Sequence, residues 1–284
     1  PAIQTEALTY IVDRELANID ALAGPIVNWI AEKAEPFFLV LDDFQTIHAQ
    51  SILDFIAFLL DHVPPHIHLI LITRIDPPLP LSRLRARDQV LEVRAEQLRF
   101  TSEETIHFFS DVVGLRLAQK DIEALDERTE GWIAGLQLAA LSMQSCADTH
   151  RFVSAFTGSH ALIVDYLTEE VLARQPERAR AFLLRTSILE RMCGPLCDAL
   201  LNDPSTPGQT ILEYLDRANL FIIPQDSGRR WYRYHHLFAD LLRRRLHQTQ
   251  PEQQPILHLR ASEWYENNGF TGQAIEHSVR AENF

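Results

Sequence analysis

Hydrophobic positions along the chain change their period near residue 100. Residues 6–34 place Leu8, Ile11, Val12, Leu16 and Ile19 at helical spacing, and Ile26, Trp29 and Ile30 continue it after Gly24-Pro25. Pro36 ends that helix. Phe37-Phe38-Leu39-Val40-Leu41 is an unbroken apolar run that stops at Asp42-Asp43. A run apolar on both faces predicts a parallel strand covered by helices. Ser51 caps a helix predicted over 52–61, which Val63-Pro64-Pro65 breaks. Leu69-Ile70-Leu71-Ile72 predicts a second buried strand, ending at Thr73-Arg74 and pairing in parallel with the first. Pro77, Pro78 and Pro80 then exclude regular structure, and Val90-Leu91-Glu92-Val93 predicts a third strand. Strand, helix, strand, strand is an α/β order.

Beyond residue 100 the signals are almost all helical. Thr101 and Glu104 form a capping box. Helices are predicted at 102–112, 119–129 and 132–145, a boundary at 149–159, then helices at 160–173, 177–186 and 208–218. Leu220-Phe221-Ile222-Ile223 and Trp231-Tyr232-Arg233-Tyr234 flank the turn Gln225-Asp226-Ser227-Gly228 and predict a β-hairpin, with a helix at 236–246 after it. Helices with a hairpin wing make a winged-helix shape. Residues 256–267 and 273–280 predict a helical hairpin turned at Asn268-Gly269. Trp264, Tyr265, Gly269, Ala274 and Ile275 look like half of a tetratricopeptide repeat, whose open face needs further repeats.

Composition narrows the class. The 284 residues fit two or three domains, and 46% hydrophobic with 23% charged residues describes a globular chain with a real core. A net charge of −13 makes the whole a poor non-specific binder of phosphate backbones, so any DNA contact needs a local basic patch. Three cysteines are too few for a disulfide framework and point to a reducing compartment. No apolar run reaches the roughly 18 residues of a membrane span, and the start at Pro1 is no signal peptide. The expectation is a cytoplasmic protein with no membrane partner. A missing Met and the end at Phe284 add the expectation of a piece of something longer.

The chemistry-bearing residues sit at strand ends. Asp42 and Asp43 stand at the carboxyl edge of the first strand, where open α/β sheets bind ligands. One carboxylate there can hold Mg²⁺ through water while its neighbour polarises an attacking water; a plain solvated strand end is the equal alternative. Arg74 ends the neighbouring strand, close enough to read a terminal phosphate by bidentate contact or simply to neutralise the aspartates.

Four segments together carry a family resemblance. Residues 37–46 (FFLVLDDFQT) resemble the Walker B strand of STAND-type signalling ATPases. Residues 62–99, 129–142 (TEGWIAGLQLAALS) and 231–242 (WYRYHHLFADLL) look like the MalT-like, LuxR-type regulator branch. The resemblance implies an α/β P-loop-type nucleotide domain with an incomplete parallel sheet (1–100), a helical domain (101–148), a winged-helix domain (149–250) and the start of a tetratricopeptide-like arm (251–284). It implies ATP/ADP and Mg²⁺ as cofactors. Asp42 matches the magnesium-coordinating acid, Asp43 the second Walker B acid with the catalytic role, and Arg74 the sensor arginine facing the γ-phosphate. Gly135 matches the segment that packs on adenine, although Gln137 stands where that pattern has proline. His235 matches the winged-helix histidine that contacts the β-phosphate in a closed, diphosphate-bound state.

The main departure is at the front. A Walker A loop needs Gly-Lys-Ser/Thr, and neither lysine, Lys33 or Lys120, follows a glycine. The implied protein is therefore at most a slow ATPase and the chain by itself inactive. Its implied role is a nucleotide-dependent regulatory switch, closed with ADP and open with ATP. That switch would control self-association and DNA binding by a C-terminal domain outside this chain, with a small-molecule or protein inducer acting on the helical arm. The alternative is a winged-helix DNA-binding protein with a degenerate nucleotide domain, using Arg229, Arg230, Arg233, Arg243, Arg244 and Arg245 as its basic patch. His62, His66 and His68 lack a carboxylate or thiol to complete a metal site, and Cys193 and Cys197 have no second pair, so both groups are expected to be free side chains.

Overall fold

The computed structural model describes residues 36–62, 64, 66–144, 146, 148–202 and 207–282. The helix expected over 6–34 lies outside them. The chain divides into two compact units, Pro1–Glu92 and Val93–Phe284.

In the first unit, β1 (Phe37–Leu41), α1 (Gln50–His62) and β2 (Ile67–Leu71) form a strand–helix–strand unit. The strands pair in parallel, from Phe37 opposite Ile67 to Leu41 opposite Leu71, as the two apolar runs predict. Period-2 alternation sends Leu39, Leu41, Leu69 and Leu71 to one side. On that side Leu41, Leu69 and Leu71 pack with Phe44, Leu53 and Ile56. The opposite face carries Phe38, Val40 and Ile70, which are 60%, 51% and 42% exposed. Burial on both faces, expected from the unbroken runs, is thus corrected to burial on the face that α1 covers.

Two further corrections fall here. A short helix, α2 (Leu81–Ala86), follows the proline cluster. All three prolines precede it, and proline is tolerated at a helix start because the first N–H groups have no helical partner. The third strand is not formed: among the described residues 90–93 pair with no neighbour, Leu91 is 90% exposed, and Glu92 is held by Arg85 instead. A run this short makes a strand only where another strand supplies its ladder.

The second unit is helical apart from one hairpin. α3 (Ser102–His107) starts at the capping box, with Thr101 N–H donating to Glu104 Oε2 at 2.9 Å, and runs on as a π-turn over Phe108–Val113. α4 (Gln119–Thr129), α5 (Ile133–Met143) and α6 (Thr149–Ala155) follow. α6 lies where the sequence suggests only a boundary. Asp148 caps it by accepting from Arg151 N–H at 2.9 Å, and Arg128 donates to the carbonyls of Val153, Ser154 and Phe156 at its other end.

The winged-helix portion contains α7 (Ala161–Tyr166) with a π-turn over Leu167–Leu172, α8 (Glu177–Thr186), α9 (Gly194–Leu201) and α10 (Gly208–Arg217). The antiparallel wing is β3 (Ile222–Pro224) with β4 (Tyr232–Tyr234), and α11 (His236–Thr249) returns to the core. α12 (Gln253–Asn267) and α13 (Thr271–Glu282) form the terminal hairpin. Leu196, Cys197, Leu212, Leu215, Tyr232, Phe238 and Leu242 are all fully buried in one continuous core. Trp231 of the wing meets Trp264 and Phe270 edge-on, with Arg191 stacked 4.8 Å over its ring, which ties wing to hairpin. Gly158 sits so close to α11 that an added Cβ would lie 1.9 Å from the Leu237 carbonyl oxygen.

Candidate functional site

The first cluster lies at the carboxyl edge of β1 and β2. The chain turns sharply after Leu41. Asp43 adopts a left-handed conformation (φ 50°, ψ 39°), and its N–H donates to Asp42 Oδ1 at 2.8 Å. Asp and Asn tolerate that region better than other side chains because their short polar groups bond locally. The turn is pinned across the sheet, with Phe44 N–H donating to Ile72 O at 3.0 Å and Ile72 N–H to Leu41 O at 2.9 Å. Gln45 then bridges the two strand ends: its Nε2 donates to Asp43 Oδ1 at 2.8 Å, and its Oε1 accepts from the Arg74 N–H at 3.1 Å. Asp42, Asp43 and Arg74, singled out from sequence, therefore share one exposed edge, and Gln45 joins them. Among the described residues no group of three or more metal-ligating side chains exists. Two carboxylates on an open edge fit a magnesium ion that keeps most of its waters and takes phosphate oxygens; they do not fit a protein-only cage.

The second cluster lies where α4, the wing and α11 meet. His235 is 3% exposed. Its Nε2 is 2.8 Å from the Thr129 carbonyl oxygen. A carbonyl only accepts, so Nε2 carries the proton and neutral Nδ1 is an acceptor. That Nδ1 is buried with no hydrogen-bond partner. Trp132 and Phe221 meet the ring edge-on at 6.0 and 5.6 Å. Burial, working against the opposing field of Glu130, holds the imidazole at a pKa of about 4, so it is neutral near pH 7.

Beside it, Glu130 follows the last turn of α4 in a left-handed conformation, φ 50°. Its carboxylate accepts two bonds from Arg233, both at 2.8 Å, one from the His236 N–H at 3.0 Å and one from Arg99 at 3.4 Å. Burial pushes its pKa up, but the Arg233 pair and the His236 N–H outweigh burial and hold it at about 2; His235 adds to this when charged. Gly131, at φ 70°, continues the turn, and a Cβ there would lie 2.4 Å from Phe100 O. Gly135 is buried under Trp132, whose Cε3 would be 2.6 Å from an added Cβ; the glycine makes room for that ring. Gln137 is exposed on the same helix.

Sequence reasoning did not single out Glu130, Trp132 or Gln45. The signal for Glu130 was present: a glutamate one residue before a glycine at a helix end, where glycine or asparagine is the usual occupant. Five of the six arginines of the basic patch read around the wing make internal contacts. Arg229 pairs with Asp216, Arg230 with Asp226 and Arg233 with Glu130, while Arg243 donates to Ser187 O and Arg244 to Ser159 O. Cys193 and Cys197 are buried free thiols whose pKa values burial raises, and Cys146 is an exposed free thiol.

Residues 168–254 match the family model of the MalT winged helix domain. Over 271 residues the chain is 35% identical to the HTH-type transcriptional regulator MalT of Yersinia enterocolitica, covering 94% of this chain and 30% of that protein. Over 256 residues it is 34% identical to the serine/threonine-protein kinase PknK of Mycobacterium tuberculosis, covering 90% of this chain and 23% of the kinase. Its fold is similar to that of a Walker-type ATPase of Pyrococcus abyssi, with a TM-score of 0.56 at 19% identity over 86% of this chain and 72% of that one. Fold and wing together define a module that carries a MalT-type winged helix in a fold similar to that of a Walker-type ATPase. Within that class the chain is MalT-like, and it spans less than a third of the length of these two curated relatives.

Proposed function

We propose that the chain is the switch module of a nucleotide-dependent regulator, in which bound nucleotide decides whether the winged-helix portion stays docked on the helical segment. The supporting observation is His235: a fully buried imidazole with one nitrogen bonded to the α4 end and the other bare, at the residue that matches the β-phosphate-contacting histidine of STAND proteins. In this reading Asp42 holds Mg²⁺ through water, Asp43 polarises water, Arg74 meets the terminal phosphate, and Gly135 with Trp132 offers the adenine surface. The ion, when bound, neutralises phosphate charge. The residues themselves position and sense, so turnover is slow at most. The chain divides at about residues 100, 148 and 250 into nucleotide, helical, winged-helix and arm portions.

The same segment aligns at similar identity with a transcription regulator and with a protein kinase. That supports a shared control module whose output lies elsewhere in each protein, in the DNA-binding case through a separate domain. Self-association, an inducer on the arm and a cytoplasmic setting belong to this reading; no helix among the described residues is long and apolar enough to cross a membrane. The DNA-binding alternative has less support, because the wing arginines are engaged internally.

The test is a titration of the chain with ADP and Mg²⁺, following the His235 ring nitrogens by NMR, with AMP as control. No lysine follows a glycine to cradle phosphates, so affinity is expected to be weak, on the order of millimolar. The expected result is a His235 shift with ADP and none with AMP, diminished by Asp42→Asn. An unmoved His235 at saturating ADP defeats the reading. A DNA mobility shift lost on Arg243→Gln and Arg244→Gln would favour the alternative.

A further inference from the structure

We propose that Glu130 is the release point of this module: one carboxylate that holds the wing and the first turn of α11 against the end of α4, and so positions His235 on Thr129. Its significance for nucleotide sensing rests on the reading of His235 given above; the latch itself does not.

Three observations converge on this residue. The first is its backbone. A glutamate at φ 50° sits where L-residues are disfavoured and where glycine fits without strain. The chain keeps a long acidic side chain there, and the neighbouring Gly131 takes the next left-handed position.

The second is a division of labour at the start of α11. A helix leaves its first N–H groups without internal partners, and the residue before it usually supplies an oxygen. Here that residue is His235, whose ring makes no cap because it is turned to Thr129 O. Glu130, 106 positions earlier, accepts from the His236 N–H in its place. The cap of α11 is thus carried by a different segment and exists only while the two segments are docked.

The third is polarity. The last turn of α4 offers carbonyls, the negative end of its dipole, to the positive start of α11. Thr129 O accepts from the His235 ring, and Glu127 O is 2.9 Å from His236 Nδ1. Arg233 of β4 clamps Glu130 with two parallel bonds, the geometry in which a guanidinium binds a carboxylate best. The apolar contacts around His235 are Trp132 on Phe221 at 5.0 Å, edge-on, and Phe221 on Phe238 at 5.4 Å. Ile122 and Leu125 of α4 share a continuous core with Leu237 and Phe238 of α11, so the release at Glu130 is local to the wing end and the first turn of α11 and leaves that core closed.

The experiment is amide hydrogen exchange on the chain and its Glu130→Gln and Arg233→Gln variants at neutral pH, with the His235 ring nitrogens followed by NMR. Glu130→Gln keeps size, Arg233→Gln shortens a half-buried side chain outside the core, and both leave the core untouched. Losing charge-assisted bonds should raise exchange at residues 232–238 roughly ten- to a hundredfold in Glu130→Gln. Arg233→Gln should do less, because Glu130 then keeps its charge on the His236 N–H and its Arg99 partner, whereas Glu130→Gln weakens every bond the carboxylate accepts. Residues 196–200 and 212–215, in the core, should keep wild-type protection, and the His235 Nε2–H signal should lose its bonded character. A rise shared equally by the core means global destabilisation and overturns the latch, as does wild-type exchange in Glu130→Gln. If the latch opens as expected while ADP never moves His235, the latch stands and the nucleotide reading falls. If ADP moves His235 but Glu130→Gln changes nothing locally, the reverse holds.

Discussion

The hydroxyls of Tyr234 and Thr186 test how the wing is anchored to the winged-helix core. Tyr234 is 3% exposed, and its Oη lies 2.7 Å from Thr186 Oγ1, 48 residues away on α8. Thr186 Oγ1 also donates to Phe182 O at 2.7 Å, so it accepts from the tyrosine. Burial drives the phenol pKa upward, leaving it a neutral donor throughout the accessible pH range. Tyr234→Phe removes one hydrogen bond between neutral groups and should cost about 1 kcal/mol. Thr186→Val is close in size but strands a buried phenolic O–H, so it should cost about 2–3 kcal/mol. In the double variant no hydroxyl is stranded, and it should be more stable than Thr186→Val alone by about 1 kcal/mol. Urea unfolding monitored by far-ultraviolet circular dichroism gives the three midpoints, with unchanged m-values required for the comparison. If the double variant is no more stable than Thr186→Val, or the single effects simply add, the assignment of Tyr234 as donor to Thr186 is wrong.

Other consequences are equally open to measurement. Gly158→Ala places a Cβ against backbone, not a yielding side chain, and should destabilise by about 3 kcal/mol, seen as a lowered thermal midpoint; an unchanged midpoint would show that the 157–160 turn moves freely away from α11. His258 and His277 face each other at 2.8 Å, Nδ1 to Nδ1, between α12 and α13; burial and the Arg280 charge lower both to about pKa 4, and the His277 charge adds to this at His258. Unfolded histidine titrates near pH ~6.5, so stability should be intact above that and fall as pH drops toward about 4, with His277→Gln flattening the dependence in denaturation curves. Arg243→Gln should lower stability by about 1–2 kcal/mol through the lost bond to Ser187 O while leaving any affinity for duplex DNA unchanged in a mobility-shift assay.

Much of the architecture was legible because it rests on local rules. Apolar runs ending at Asp42 and Thr73 announced the parallel pair, Thr101 with Glu104 announced α3, and the Gln225–Gly228 turn announced the wing. Three short helices escaped for physical reasons. α2 begins straight after a proline and α9 with Gly194-Pro195, so their starts look like breaks, and α6 has a polar first turn whose end is satisfied by Arg128 from another helix. The strand expected at 90–93 failed for the converse reason, since its apolar pattern was local but its ladder is not. The candidate site divides the same way. Asp42, Asp43 and Arg74 could be named from strand ends alone. The bond from His235 to Thr129 and the clamp on Glu130 join residues more than 100 positions apart, and no periodicity encodes them.

Backbone strain points to the same two places. Among the described residues, seven other than glycine have positive φ: Asp43, Asp88, Glu130, Asn202, Asn219, Phe221 and Arg229. Asn202 and Asn219 lie at or just past helix ends, where asparagine commonly adopts this conformation, and the two aspartates bond locally with similar ease. Glu130, Phe221 and Arg229 have no such excuse. A bulky aromatic at φ 53° is an outlier that only surrounding structure can maintain. Arg229 is accounted for by its bond to Asp216 at 2.8 Å, at the tip of the wing. The other two both converge on His235: the Phe221 carbonyl accepts the His235 N–H at 2.8 Å and its ring meets the imidazole edge-on, while Glu130 caps the helix that His235 introduces. Strain held on both sides of a buried, half-satisfied histidine is energy stored at a joint. Glycine at 130 would relieve the strain but remove the carboxylate that accepts from Arg233, Arg99 and the His236 N–H. The joint therefore depends on a carboxylate held against its backbone preference, so Glu130→Gln, which removes the charge and keeps the backbone, separates the worth of the clamp from the worth of the turn.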